Sequence, residues 1–173
     1  MAITKIQSES LNLADDFAFT GTITGAGGVS KPYFLATINS EQTVSDNVNT
    51  KVQFSNEIID SDGCYDPSTN YRFTPTTAGK YYVSCAVGGT AFGADSLNDM
   101  EVSLYKNGSL YMRTRHNASN NYQYWLSPTV NAIVDMNGST DYLEVYAQLD
   151  VVANTPRFYH SLYSWFMAHK IIG

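Results

Sequence analysis

From Lys31 onward the chain is written in short runs of alternating apolar and polar residues, cut by turn residues, with no helix longer than a turn or two legible. This pattern confines the fold to antiparallel β structure, because a strand half-buried against a core turns every second side chain toward it. Asn107-Gly108 lies between two such runs and sets a tight hairpin, since both central positions of a two-residue turn need a positive φ that Asn and Gly tolerate. Asn137-Gly138 carries the same signal. Strands are predicted at 33–38, 43–44, 50–56, 71–73, 79–88, 99–106, 109–116, 122–134, 141–150 and 161–172. About ten strands of this length and spacing fit an all-β, two-sheet jelly-roll sandwich.

At 173 residues the chain has room for one well-buried domain and a short appendage. The appendage is residues 1–30, read as an extended arm that ends in the Gly-rich hinge Gly25-Ala-Gly-Gly28. Its apolar side chains, Ile3, Ile6, Leu11, Leu13, Phe17 and Phe19, are too few to bury a face of their own, so an ordered arm must pack on a partner and act as an anchor. Residues 31–173 form the jelly roll.

Within 52–83 the sequence VQFSNEIIDSDGCYDPSTNYRFTPTTAGKYYV supplies Val52, Phe54, Tyr65, Asp66, Thr69, Arg72, Phe73, Pro75, Ala78, Gly79, Tyr81 and Tyr82. In that order they resemble the V-x-F, Y-D-x-x-T, R-F-x-P and A/P-G-x-Y-Y motifs of the complement-q globular-head and TNF-like jelly-roll domains. Downstream, Val102-Ser-Leu-Tyr-Lys-Asn-Gly108 is similar to the family's V-x-L-x-x-N-G hairpin, Asp141-Tyr-Leu-Glu-Val-Tyr146 to its D-x-V/L-x-V strand, and Ser161-Leu-Tyr-Ser-Trp-Phe-Met167 to its ending. Trp165 stands where the family usually has Gly, and 111–134 has no strong counterpart. The resemblance implies a tight homotrimer joined through an apolar, Tyr-rich wall. The aromatic last strand agrees, because one sandwich cannot bury both of its faces and an exposed apolar patch marks an interface. Tyr81, Val83, Tyr159, Tyr163, Trp165 and Phe166 are the residues expected at that interface.

The net charge of -6 argues against a nucleic-acid partner, and no segment approaches the ~20 apolar residues of a membrane-spanning helix. The first residues carry no apolar signal-peptide core, so the expected place of synthesis is a cytoplasm and the three Asn-x-Ser sequons read as turn chemistry. Cys64 and Cys85 could pair, but Cys85 alternates with Tyr81, Val83 and Val87 and reads as a small core residue. His116, His160 and His169 share no metal-ligand spacing, and no nucleophile elbow or phosphate loop is present, so neither catalysis, nor a metal, nor a cofactor is expected. Asp60, Asp62 and Asp66 could offer oxygen ligands, yet they read as a polar turn. Tyr111, Arg113, Arg115, Asn117, Tyr124 and Trp125 combine flat rings with amides and guanidinium groups, the chemistry of glycan or protein contact.

The stretch LNLADDFAFTGTITGAGG resembles the N-terminal segments of small virion proteins of tailed phages. Together the resemblances imply a non-enzymatic virion protein made in the host cytoplasm, a homotrimeric fibre or capsid-decoration module held to other virion proteins by its arm. Its head would stabilise the capsid or adhere to a host-surface glycan or protein. The alternative is a cellular or secreted complement-like binding module for a protein or glycan.

Overall fold

A computed structural model describes residues 30–92 and 95–171, so the anchor positions Ile3 to Phe19 lie outside the described residues. The described chain forms β1 (Tyr33–Thr37), β2 (Gln42–Thr43), β3 (Thr50–Lys51), β4 (Asn56–Asp60), β5 (Tyr65–Asp66), β6 (Arg72–Phe73), β7 (Gly79–Ala86), β8 (Gly89–Thr90), β9 (Leu97–Lys106), β10 (Ser109–Asn117), β11 (Trp125–Leu126), β12 (Thr129–Met136), β13 (Leu143–Val151), β14 (Arg157–Phe158) and β15 (Trp165–Lys170), with a 3-10 turn at Ser161–Tyr163. Every pairing is antiparallel. One sheet runs β12-β7-β15-β1-β4 and the other β10-β9-β13-β6-β5, with β3 also on β13, while a small third sheet runs β11-β8-β14-β2. The predicted jelly-roll sandwich is therefore the observed architecture.

Aromatic rings hold the two main sheets together. Phe34 of β1 is stacked between Tyr65 of β5 and Phe73 of β6, at 4.7 and 4.6 Å, and Phe166 of β15 meets it edge-on at 4.8 Å. Tyr81 of β7 joins through Phe73 at 5.6 Å, and Phe54 through Phe166 at 5.7 Å. The two buried hydroxyls are satisfied, Tyr65 donating to the Phe54 carbonyl and Tyr81 to that of Thr77. Removing one such ring from a core costs about 3–5 kcal/mol. Cys64 and Cys85 are both buried free thiols, and burial pushes the Cys85 thiol up to about 12, so it stays neutral and fills space.

The sandwich has two distinct ends. In the five-stranded sheet Thr37, Trp165, Ala86 and Thr129 form one terminal row, and Tyr33, His169, Tyr82 and Ile133 lie near the other. At the first end β1 leads into β2, β7 into β8, β11 into β12, and β14 through the 3-10 turn into β15. All four strands of the small sheet thus cap that end. Ser30, before the start of β1, and Lys170, at the end of β15, lie at the opposite end.

Several sequence expectations need correction. Asn107-Gly108 is the tight turn between β9 and β10, with φ of 52° and 75°. Asn137-Gly138 is not a hairpin: it joins β12 to β13 in the other sheet, and the Asn137 side-chain carbonyl accepts from the N–H groups of Ser139, Thr140 and Asp141. The strand predicted at 122–134 breaks into β11 and β12 around Pro128, which has no N–H to give a ladder. The one predicted at 161–172 starts at Trp165, after the 3-10 turn. β4, with exposed Ile58 and Ile59, was read as part of a turn.

Asp66 explains the Tyr-Asp-x-x-Thr motif. Its carboxylate accepts from the N–H groups of Thr69, Ser68 and Asn70, and these bonds hold it well below the ordinary 3.8 of an aspartate. Because the folded value is depressed, its contribution is complete above the unfolded value and fades as pH falls toward the folded one. Asp66→Ala should lower the unfolding free energy by about 1 kcal/mol at pH 7. Urea titrations at a series of pH values should show the gap from the parent narrowing below about pH 4.

Candidate functional site

The two outer faces of the sandwich differ in chemistry. On the five-stranded sheet the outward rows are Ile59, Leu35, Met167, Ser84 and Asn131, then Tyr33, His169, Tyr82 and Ile133. Ile59 and Ile133 are 47% and 58% exposed, and Tyr82 packs on His169 at 5.5 Å. Trp165 lies on this face and its indole N–H donates to Ser84 Oγ. The second sheet is charged outside: Lys51 pairs with Glu144 at 2.6 Å, Arg115 with Asp99 at 2.6 Å and Arg113 with Glu101 at 3.4 Å.

Of the residues expected at a trimer wall, the structure puts Tyr81, Val83 and Phe166 in the interior, each at most 1% exposed. They are core residues, because their parity on β7 and β15 points them at the other sheet. Trp165 is outward, while Tyr159 and Tyr163 lie at the capped end. The outward residues of this face are instead Tyr82, Met167, Leu35, Ile59 and Ile133, of which Tyr82 and Met167 alternate with the residues that were named.

The expected ligand patch is divided. Tyr111 to Asn117 belong to β10, an edge strand exposed along nearly its whole length. There the Tyr111 hydroxyl donates to the Ile133 carbonyl at 2.9 Å, and Arg115 and Asn117 both donate to Asp99. The bond to Asp99 raises the Arg115 guanidinium further above its ordinary value. Tyr124 and Trp125 lie instead with Phe92, Tyr159 and Tyr163 around an open pocket of about 360 Å³ at the capped end. Trp125 meets Tyr159 at 4.7 Å and 82°, and Tyr163 at 4.8 Å and 64°. Phe92 lies beneath the Arg157 guanidinium at 5.1 Å, and Arg157 is itself paired with Glu41. Buried Ser164 ties this end together, accepting from Gly88 N–H and donating to the Tyr159 carbonyl.

The remaining candidates stay separate. Asp60 accepts from the N–H groups of Tyr65 and Asp62, so Asp60 and Asp66 each hold a turn of their own. His116 is exposed on β10, His160 packs on Tyr159, and His169 lies on the outer sheet face. Among the described residues no three His, Cys, Asp or Glu side chains converge on a metal-sized site, and no helix is long and apolar enough to cross a membrane.

This architecture is that of the complement-q globular head. The globular domain of zebrafish complement 1qA protein superposes with a TM-score of 0.56 over 82% of this chain and 98% of its own, at 14% identity. No protein-family model matches the chain, and no curated protein matches it in sequence. The likeness is one of fold.

Gly88 allows the pocket to close, since a Cβ there would lie 2.6 Å from Trp125 Cζ2 and 2.9 Å from Tyr163 Cβ. Gly88→Ala should displace both rings, costing about 1–3 kcal/mol. Near-ultraviolet circular dichroism should report the loss of the fixed Trp125 environment, with the far-ultraviolet strand signal kept.

Proposed function

We propose that the chain is a non-enzymatic homotrimeric display module whose subunits meet through the outer face of the five-stranded sheet. The contrast between the two outer faces carries this reading. A face bearing Leu35, Ile59, Tyr82, Ile133, Trp165 and Met167 has apolar area to bury, whereas the other sheet spends its charges in local ion pairs. A closed ring of three needs two different patches that meet. The second is the edge beside β10 and β12, where Leu110, Tyr111 and Met112 are exposed next to Ile133. The likeness of fold to a complement-q globular domain is compatible with a ring of three, the number that the sequence resemblance implies.

In its fuller form the module is a virion protein of a tailed phage, a fibre or capsid decoration. Residues 1–30 hold it to another virion protein through Ile3, Ile6, Leu11, Leu13, Phe17 and Phe19. The entry of the chain at Ser30, opposite the capped end, supports that arrangement: the aromatic pocket then faces away from the support, toward a host surface. A complement-like binding module of cellular or secreted origin is the second reading, favoured by the likeness to the zebrafish complement domain. Both readings use the same head.

Light scattering of the purified chain should return three times 19.1 kDa, and Met167→Asp should reduce it to the mass of one chain. A monomeric parent would refute the interface. Deleting residues 1–28 should leave the trimer intact while abolishing its incorporation into particles, and a truncated protein that still co-purifies with particles would remove the anchor.

A further inference from the structure

We propose that the pocket formed by Phe92, Tyr124, Trp125, Tyr159 and Tyr163 binds a neutral pyranose of an uncharged glycan. Its size, about 360 Å³, lies at the lower end of the ~300–1,000 Å³ of pockets that hold small organic ligands. Among the described residues every lining side chain is aromatic and none brings a formal charge. Arg157 is stacked on the Phe92 ring and paired with Glu41 at 3.1 Å, so its charge is balanced beside the pocket rather than offered to an acidic sugar or a phosphate.

The rings form a braced corner. Trp125 stands close to perpendicular to Tyr159 and Tyr163, and Tyr159 and Tyr163 are 5.7 Å apart. Edge-to-face contacts of this kind hold each ring in place before anything binds. Tyr124 and Tyr163 are 44% and 52% exposed, leaving ring surface for a ligand. The carbon-bound hydrogens on one side of a pyranose match such a surface. Its equatorial hydroxyls match the polar groups the lining has to offer, which are three phenols and one indole N–H.

A proline-rich or aromatic peptide would also stack, but it would bring a backbone whose N–H and C=O groups need partners. At this site β8 is paired on both sides, by β11 and β14, and β11, at the edge of the small sheet, is two residues long and offers a peptide little to pair with. Scattered single hydroxyls suit a sugar better than a chain. The direction in which the pocket faces, though not its chemistry, rests on residues 1–30 being the holding segment. Three copies in a trimer would multiply a weak single-site affinity, as linked sites do.

The full chain should be titrated by calorimetry with neutral hexose and N-acetylhexosamine oligosaccharides, with sialyllactose and a proline-rich peptide alongside. Saturable binding of a neutral oligosaccharide is expected. It should be weakened about tenfold by Tyr124→Ala and by Trp125→Phe, with the far-ultraviolet spectrum unchanged. Absence of binding to every neutral oligosaccharide, preference for sialyllactose or the peptide, or full binding by both variants would each overturn the assignment. Light scattering on the same samples keeps the two readings apart: a monomer that binds the neutral sugar supports the pocket while refuting the trimer.

Discussion

The fold depends on the stack of Tyr65, Phe34 and Phe73, closed by Phe166. Phe34 and Phe166 come from one sheet and Tyr65 and Phe73 from the other, so the rings set both the spacing and the alignment of the two layers. Rings bury large apolar areas with few rotatable bonds, which makes them good spacers. The short strands β5 and β6, two residues each, would be marginal alone. They stand because Tyr65 and Phe73 plug into the stack and Asp66 fixes the turn that joins them.

Much of this was legible in the sequence, and the reason is local. Tyr65, Asp66, Thr69 and Phe73 lie close together in the chain, and their spacing encodes a plug, a turn and a second plug. The Asn107-Gly108 hairpin was legible for the same reason, since a positive φ at two successive positions is a demand on those residues alone. The outer wall was not legible. Tyr81 and Tyr82 are adjacent and chemically alike; alternation sets Tyr81 with Val83 and Cys85 and Tyr82 with Lys80 and Ser84, which points Tyr81 inward, but the aromatic content of the strand drew Tyr81 to the wall as well. On β15 the start of the strand at Trp165, after a 3-10 turn, decides the parity of Phe166 and Met167. The pocket was half legible: Tyr124 and Trp125 stood out, but Phe92, Tyr159 and Tyr163 reach them only through the pairing of β11, β8 and β14.

The division of labour between the sheets also bears on where another molecule can add to the domain. β10 is a long exposed edge, the kind of element that invites strand addition by another molecule. Arg113 and Arg115 along it, each tied to an acidic side chain of β9, make that edge a poor template for an apolar strand. Apolar contact is thereby left to side chains rather than backbone groups: those of Leu110, Tyr111 and Met112 at the start of β10 and those on the outer face of the five-stranded sheet.

The placement of β1 has a mechanical consequence. It lies between β15 and β4, with its first residue at the end where the chain enters and its last at the capped end. Tension applied to the N-terminal side of the domain, with the cap held, pulls β1 along its own length. Its ladder bonds to both neighbours are then strained together instead of opening one at a time, a shear geometry that resists rupture better than peeling does. A domain so loaded would fail by the slow, concerted slip of a central strand, and its lifetime under load would follow the unfolding barrier more than the equilibrium stability.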